Sequence, residues 1–224
     1  MRLPYSFIIP VRNEQRVIGP LLADLRQRFA GCELVVVDGN STDRSSGEAL
    51  RLADVVLIAA PGRAAQMNLG AASARGDYFI FLHADTRPEF TLDALCQTLD
   101  AAPSWGFCRV RLSGTQSGLR LVEAGMNLRS RLTAVATGDQ MLFVSRALFD
   151  AVDGYAGIPL MEDVELCKRL RRIVRPCLPK LTVCTSSRRW EQRGLVRTVL
   201  RMWWLRLLYV CGVSPRRLWQ IYYG

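Results

Sequence analysis

Histidine and lysine are almost absent from this chain of 224 residues. It contains one histidine, His83, and two lysines, Lys168 and Lys180, although its formal net charge is +10. Arginine therefore supplies nearly all of the positive charge, and its planar guanidinium suits bidentate binding of phosphate and carboxylate groups. This bias favours phosphates, anionic membrane surfaces or nucleic acid as partners, but it also fits a general arginine preference of the genome.

The chain also lacks the patterns of disulfide-rich and zinc-binding proteins. Its seven cysteines are an odd number, and no two of them have the CxxC spacing. We therefore expect reduced, mostly buried thiols and a cytoplasmic location. The opening stretch, MRLPYSFIIPVRNE, contains an apolar run that is too short for a signal peptide.

No apolar run in the sequence is long enough to cross a membrane as a helix. The best candidate is VLRMWWLRLLYVCGV, which Arg201 and Arg206 interrupt and which is shorter than the roughly 20 apolar residues of a spanning helix. We predict that residues 191–224 form a helical tail. This tail packs on the rest of the chain, or it forms a homodimer or contacts a membrane peripherally through residues 195–213.

Short apolar runs alternate with helical patterns along the first half of the chain. We predict strands at 5–11, 33–38, 54–60 and 77–82, and helices at 14–29 and 62–76. Continuous apolar strands separated by helices are typical of a mostly parallel sheet that helices cover on both faces. After residue 105 the pattern is less regular, with strands predicted at 105–112 and 140–145 and helices at 119–135 and 161–172.

Polar residues follow three of the predicted strands. Asn13 and Glu14 follow the first, Asp38 ends the second, and the segment from His83 to Asp85 follows the fourth. Because ligands bind at the carboxyl ends of parallel strands, these residues are expected to share one crevice. Each segment alone also suits a helix cap or a turn, and only their occurrence together favours a binding site.

The order of these segments resembles the family 2 glycosyltransferases, which have the Rossmann-like GT-A fold. The family's P-x-x-N-E motif is matched at residues 10–14. Its V-D-D-x-S-x-D element reads VDGNSTD, with Gly39 in place of the second aspartate. Its D-x-D motif reads HAD, with His83 in place of the first aspartate.

The second half of the chain carries further matches. MEDVELCKRL resembles the family segment that ends in an E-D motif, here Glu162 and Asp163, and SSRRW resembles its arginine–tryptophan element. The likeness covers residues 5–190, with a nucleotide-binding half at about 1–104 and an acceptor half at about 105–190. GRAAQMNLGA together with FLHADT resembles more closely a small soluble bacterial subgroup that is sometimes assigned to arsenosugar biosynthesis.

The resemblance implies a nucleotide-diphosphate sugar as donor, UDP-linked by family frequency, and Mn²⁺ or Mg²⁺ as cofactor. Asp85 is the expected metal ligand, Asp38 is expected to bind the nucleobase, and Glu14 is expected to help to hold the nucleoside. His83 replaces an aspartate that meets the ribose, and it could donate a hydrogen bond there, bind metal or be structural. The remaining expected donor-binding residues are Pro10, Asn13, Arg63, Gln66, Asn68, Ala84, Arg188 and Arg189.

The resemblance also implies roles on the acceptor side. Asp163 is the expected base that removes the proton of an acceptor hydroxyl, with Glu162 beside it. A single base without a covalent nucleophile gives inversion at the anomeric carbon. Asp139 and Trp190 are the expected acceptor-binding residues, although Trp190 could simply pack and the two acids could simply begin a helix.

Three other interpretations remain open at this point. A nucleotidyltransferase could use a similar scaffold, but PVRNEQRVIGP lacks the glycine- and lysine-rich phosphate loop of that class. A basic module for a membrane or nucleic acid fits the charge, but the arginines are scattered, and we expect no nucleic-acid partner. An inactive transferase would explain the two departures at Gly39 and His83.

Overall fold

A computed structural model describes residues 3–223 of the chain, without the side chains of Arg189 and Arg193. The strands are β1 (Tyr5–Val11), β2 (Glu33–Asp38), β3 (Val55–Ile58), β4 (Tyr78–Phe81), β5 (Thr86–Pro88), β6 (Trp105–Phe107), β7 (Arg109–Leu112), β8 (Leu142–Ser145) and β9 (Thr182–Thr185). The helices are α1 (Gln15–Arg28), α2 (Ser45–Leu50), α3 (Arg63–Ser73), α4 (Leu92–Asp100), α5 (Ser117–Thr133), α6 (Arg146–Ala151), α7 (Glu162–Ile173), α8 (Arg188–Arg193), α9 (Leu195–Val210) and α10 (Pro215–Tyr223).

The central sheet has the strand order β3-β2-β1-β4-β8-β6. Strands β1 to β4 are parallel, while β8 runs antiparallel to β4 and β6. Strands β1 and β2 are buried almost throughout, because one hydrophobic cluster covers each face of the sheet. The predicted mostly parallel sheet with flanking helices is confirmed, and the polar ends of β1, β2 and β4 lie at one edge.

The single strand expected at 105–112 is wrong in one respect, since the chain divides there into β6 and β7. Strand β6 pairs with β8 in the central sheet, whereas β7 pairs with β9 in a second sheet of order β5-β9-β7. The change occurs at Cys108, whose amide donates to the carbonyl of Gln140 at 2.9 Å. Gly106 permits this path, because a Cβ there would lie 2.2 Å from the carbonyl oxygen of Cys177.

The C-terminal segment packs onto the rest of the fold. Helix α9 contacts α5, and Leu205 of α9 and Leu218 of α10 are buried in the same hydrophobic cluster as Phe81 of β4. Other apolar side chains of α9 remain exposed, namely Val196, Leu200, Trp203, Trp204, Leu207 and Val210. Within residues 3–223, no helix combines the length and hydropathy that crossing a membrane requires.

Candidate active site

The loops that follow β1 and β2 are joined by Asn13. This residue has a φ of +56°, and its side-chain oxygen accepts a hydrogen bond from the amide of Thr42 at 2.8 Å. Its own amide donates to the hydroxyl of Ser41 at 2.9 Å. Asparagine tolerates the left-handed conformation better than most residues. The predicted donor-binding residue Asn13 therefore shapes the loop that carries Glu14.

Asp38 is buried at the end of β2 and is surrounded by donors. Its carboxylate accepts hydrogen bonds from the amide of Ser41 at 2.8 Å, from the hydroxyl of Ser41 at 2.6 Å and from the hydroxyl of Ser46. A carboxylate oxygen has more than one acceptor direction, so these bonds leave capacity for a further donor. The loop thus orients the Asp38 side chain, which was predicted to bind the nucleobase.

Gln66 and Asn68 are used differently from the expectation. The Gln66 amide group is buried and donates to the carbonyls of Val11 and Val37 at 2.9 and 2.8 Å, which ties β1 to β2. Asn68 bonds both backbone groups of Tyr155 at 2.8 Å. A Cβ at Gly39 would lie only 3.0 Å from the Gln66 side chain, so the family's second aspartate would not fit this packing unchanged.

Glu14, Asp85 and Arg188 come together at one end of a cleft of about 730 Å³. Burial and the nearby Asp85 raise the pKa of Glu14, while Arg188 and Arg63 lower it. The two acids line the same cleft although they are distant in sequence, and their mutual repulsion is the cause of this effect of Asp85. Arg188 is exposed, and the side chain of Arg189, also predicted to bind the donor, lies outside the described residues.

A hard divalent cation fits the oxygen ligands of this end of the cleft. The Asp85 carboxylate is half-buried, and the hydroxyl of Thr86 donates to it only at 3.5 Å, so it keeps acceptor capacity. In the part of the chain that the structure describes, no group of three or more histidine, cysteine or acidic side chains could hold a metal. A cation would therefore be bound by Asp85, with Glu14 near it, and would need oxygens from a ligand.

His83 faces the acceptor-side segment. Its Nδ1 lies 3.7 Å from a carboxylate oxygen of Asp139, and its side chain is 11% exposed. The ring packs so tightly on Gly138 that a Cβ there would lie 2.1 Å from the histidine Cε1. His83 also lines a small pocket with Glu162 and Asp163. This placement links the D-x-D position to the predicted base.

Asp163 is held by backbone donors at the start of α7. One carboxylate oxygen accepts from the amide of Val164 at 2.7 Å, and the other accepts from the amide of Gly138 at 2.9 Å. The second bond joins α7 to the turn at Gly138–Gln140, which carries Asp139. Because both oxygens are fixed, the carboxylate has one orientation in the small pocket that His83 and Asp139 also line.

Glu162, next to Asp163, is 5% exposed. Burial, together with the charge of Asp163, raises the pKa of Glu162 to about 7, whereas Arg63 acts to lower it. The Arg63 guanidinium lies 4.0 Å from this carboxylate and is itself half-exposed at the start of α3. Glu162 is therefore a carboxyl group that can be protonated at neutral pH.

The other predicted site residues lie around this centre. Pro10 lies within β1, opposite Val37, and Ala84 is buried between His83 and Asp85. Trp190 lines the cleft with Asp139, so the two predicted acceptor-binding residues share a wall. Asp139 lines both the cleft and the small pocket of Asp163, and it therefore lies between the acids predicted for the donor and those predicted for the acceptor.

Sequence reasoning missed one wall of the cleft. It is formed by α5 and α9, which contribute apolar side chains and two arginines, Arg129 and Arg206. A signal existed in the sequence, since Val122, Met126 and Arg129 share one helical face. The sequence pattern did not show that this face lies beside α9, which follows about 75 residues later along the chain. Only the tertiary structure brings the two helices together.

The amino-acid sequence matches a known protein family and a curated relative. The family model described as "Glycosyl transferase family 2" matches residues 6–145. A Haemophilus influenzae protein described as an uncharacterized glycosyltransferase is 35% identical over 94 residues, which cover 38% of this chain and 38% of that protein. The chain thus spans well under half the length of this curated relative.

Solved structures agree in fold. Residues 1–349 of TarS from S. aureus align with a TM-score of 0.64 and 18% identity, covering 84% of this chain and 61% of that one. The mannosyltransferase PcManGT from Pyrobaculum calidifontis, solved with GDP-Man and Mn²⁺, aligns with a TM-score of 0.61 and 19% identity, covering 82% and 57%. At these identities the likeness confirms the predicted GT-A fold and nothing narrower.

Proposed function

Since the chain belongs to glycosyl transferase family 2, we propose that it transfers a sugar from a nucleotide-diphosphate donor to an acceptor hydroxyl, with inversion at the anomeric carbon. One observation carries this proposal. The cleft that contains Glu14, Asp85 and Arg188 reaches Asp139, which lies in the same small pocket as Asp163. A donor diphosphate and an acceptor could therefore meet between the two sets of acids.

The donor diphosphate lies at the end of the cleft with Asp85 and Arg188. Mn²⁺ or Mg²⁺ bound by Asp85 would neutralise the charge that develops on the leaving diphosphate. Arg188 supplies a guanidinium at the same place, and Arg63 adds another at the first turn of α3, where the helix dipole also favours anions. Asp38 and Glu14 hold the nucleoside beyond the carboxyl ends of β1 and β2.

The acceptor is activated by Asp163. Its carboxylate takes the proton of the acceptor hydroxyl as that oxygen bonds to the anomeric carbon, and the bond to the diphosphate oxygen breaks. Each oxygen of Asp163 already accepts one backbone hydrogen bond, which fixes its direction and leaves a lone pair for the hydroxyl proton. His83 and Asp139 stand next to this carboxylate and orient the acceptor.

The nucleotide is proposed to be UDP. TarS has been solved with UDP and with UDP-GlcNAc, and the glucosyl-3-phosphoglycerate synthase of Mycobacterium tuberculosis has been solved with Mn²⁺ and UDP. We place the enzyme in the cytoplasm, since all seven of its cysteines are unpaired and a reducing compartment keeps thiols in that state. The arsenosugar subgroup stays a prediction.

A thermal-shift screen of nucleoside diphosphates with Mn²⁺ or Mg²⁺ tests the donor site. UDP with Mn²⁺ should stabilise the wild type, and Asp85→Asn should lose the metal-dependent part of this shift. Asp163→Asn should keep the shift but lose sugar transfer. Glu165→Gln, on the same helix and paired with Arg169, is the matched control and should keep both. Stabilisation by no nucleoside diphosphate would refute the proposal.

The same experiments separate the other interpretations. An inactive transferase would bind UDP with Mn²⁺ but would consume no donor, even when Asp163 is intact. A nucleotidyltransferase would release pyrophosphate from a nucleoside triphosphate. A non-catalytic basic module would respond to bulk nucleic acid or anionic vesicles in a salt-dependent way and would ignore nucleoside diphosphates.

A further inference from the structure

Helices α5 and α9 present matching faces to the cleft. On α5, Val122, Met126 and Arg129 follow one another at four- and three-residue spacing, and all three line the cleft. On α9, Val199 and Met202 line it as well, and Arg206 follows four residues later. Side chains at this spacing lie on one helical face. Each helix therefore offers an apolar surface that leads to an arginine.

Neither Arg129 nor Arg206 forms a direct ion pair among the residues 3–223 that the structure describes. Nε of Arg129 and Nη2 of Arg206 are buried without a hydrogen-bond partner. Arg129 donates to the neighbouring hydroxyl of Ser130, at 2.9 Å. A guanidinium nitrogen that is buried without a hydrogen-bond partner carries a desolvation cost, which an anionic ligand between the two half-buried arginines would offset.

Electrostatics agree with this geometry. Burial lowers the pKa of Arg129 to about 10, and repulsion from Arg206 acts in the same direction. Burial also lowers the pKa of Arg206. Asp139 and Asp163 act on both guanidiniums in the opposite direction and raise their pKa values. Arg206 also lines the small pocket of Asp163 directly.

The cleft opens onto an unusually apolar surface. Leu121 and Leu128 of α5 line it while being 78% and 57% exposed, and Trp203 of α9 lines it while being 73% exposed. Further along α9, Leu200 and Leu207 are exposed too. Exposed apolar patches of this kind commonly mark contact with a partner or a lipid. The apolar surface is continuous with the half-buried side chains of Arg129 and Arg206.

We propose that the acceptor is a lipid whose headgroup carries a phosphate, bound by Arg129 and Arg206, while its chain lies along Leu121, Leu128 and Trp203. This proposal rests on the proposed function, because a headgroup hydroxyl beside the phosphate is the group that Asp163 deprotonates. Two guanidiniums match the oxygens of a phosphate. A small water-soluble phosphate would use the arginines but would leave the exposed leucines and Trp203 without a role.

Binding of dodecyl phosphate, below its micelle concentration, tests this site by calorimetry on the full chain. Inorganic phosphate supplies the anion alone and dodecanol supplies the chain alone. Dodecyl phosphate should bind at least tenfold more tightly than either, and Arg129→Gln and Arg206→Gln should each weaken it by about tenfold or more, as expected for loss of a charge-assisted hydrogen bond. Arg131→Gln, an exposed residue of α5, is the matched control.

Several outcomes would overturn the proposal. Inorganic phosphate that binds as tightly as dodecyl phosphate would indicate a soluble ligand, and unchanged dodecyl phosphate affinity in the arginine variants would remove the headgroup site. Failure of dodecyl phosphate to bind, with a dimer in analytical ultracentrifugation that Trp203→Glu dissociates, would assign the apolar surface to a second copy.

Thermal shifts with UDP and Mn²⁺ distinguish this proposal from the transferase function. Arg129→Gln and Arg206→Gln should keep the wild-type shift, because both residues lie on the acceptor side. Loss of that shift in the arginine variants would assign them to the donor and overturn the lipid site. If the wild type shows no shift but binds dodecyl phosphate as expected, the lipid site stands and the transferase function falls.

Discussion

Replacing Glu162 by glutamine should change how the stability of the protein depends on pH. Glu162 is 5% exposed, and burial raises the pKa of its carboxyl group from an ordinary 4.5 to about 7. Between these two values the folded chain holds a proton that the unfolded chain has released. The free energy of unfolding therefore falls as pH rises through this interval and levels off above it.

The size of the effect follows from the same pKa. One pKa unit corresponds to about 1.4 kcal/mol, so a rise from 4.5 to about 7 makes the ionised group cost about 3 kcal/mol of stability above neutral pH. Glutamine keeps the shape of the side chain but does not ionise. The wild-type ion pair between Glu162 and half-exposed Arg63, at 4.0 Å, contributes little by comparison. The free energy of unfolding of Glu162→Gln, relative to that of the wild type, should thus rise by about 3 kcal/mol between pH 4.5 and pH 8.

Urea unfolding at a series of pH values measures this difference directly. Titrating groups that are distant from Glu162 are common to both proteins and cancel when the variant is compared with the wild type, whereas the adjacent Asp163 interacts with Glu162 and contributes to the difference. Arg63→Gln provides a second test, since Arg63 lowers the pKa of Glu162, and its removal should extend the decline to higher pH. A difference between Glu162→Gln and the wild type that is constant with pH, or that shrinks as pH rises, would refute the reasoning.

Three further predictions concern packing around the site. Gly138→Ala places a Cβ 2.1 Å from the His83 ring and should lower stability by about 1–3 kcal/mol. Gly47→Ala is the control and should not lower stability, because a Cβ there meets nothing within 4 Å. Equal melting temperatures for the two variants would contradict this prediction. Arg129→Met should raise the free energy of unfolding of the ligand-free protein by about 1–3 kcal/mol, because it removes a buried donor without a partner, and its melting temperature should rise accordingly. A lower melting temperature would mean that the arginine is stabilised within the fold. Asn68→Ala should cost about 1–2 kcal/mol in urea unfolding but leave UDP binding intact. A selective loss of UDP affinity would return Asn68 to the donor site.

The sheet and the polar segments at the ends of its parallel strands were predictable because their signals are local. Apolar runs such as ELVVVD are buried on both faces. When helices separate such runs, the usual arrangement is a parallel sheet that helices cover on both faces. Parallel strands carry their carboxyl ends to one edge, so topology alone placed Asp38 and the segment with Asp85 at the same edge of the sheet. The likeness to family 2 glycosyltransferases rested on the same segments, and the family match confirms it.

Local patterns also misled where a side chain had two uses. The helix that begins at Arg63 was expected to direct Gln66 and Asn68 toward a nucleotide. The structure turns both of them toward backbone groups inside the protein, where buried carbonyls and amides require partners. Likewise, the run from 105 to 112 reads as one strand, and only the competing demands of two sheets divide it at Cys108.

The sequence by itself determined the parallel core, the positions of the acids at the strand ends and the excess of arginine over lysine. These properties depend on residue type and on spacing within single elements. Only the tertiary structure decided that Gly138 packs under His83, that Glu162 is buried beside Arg63, and that Arg129 and Arg206 share one cleft. Such pairings join surfaces far apart in sequence, and their energy comes from burial and charge in an environment that exists only once the chain has folded.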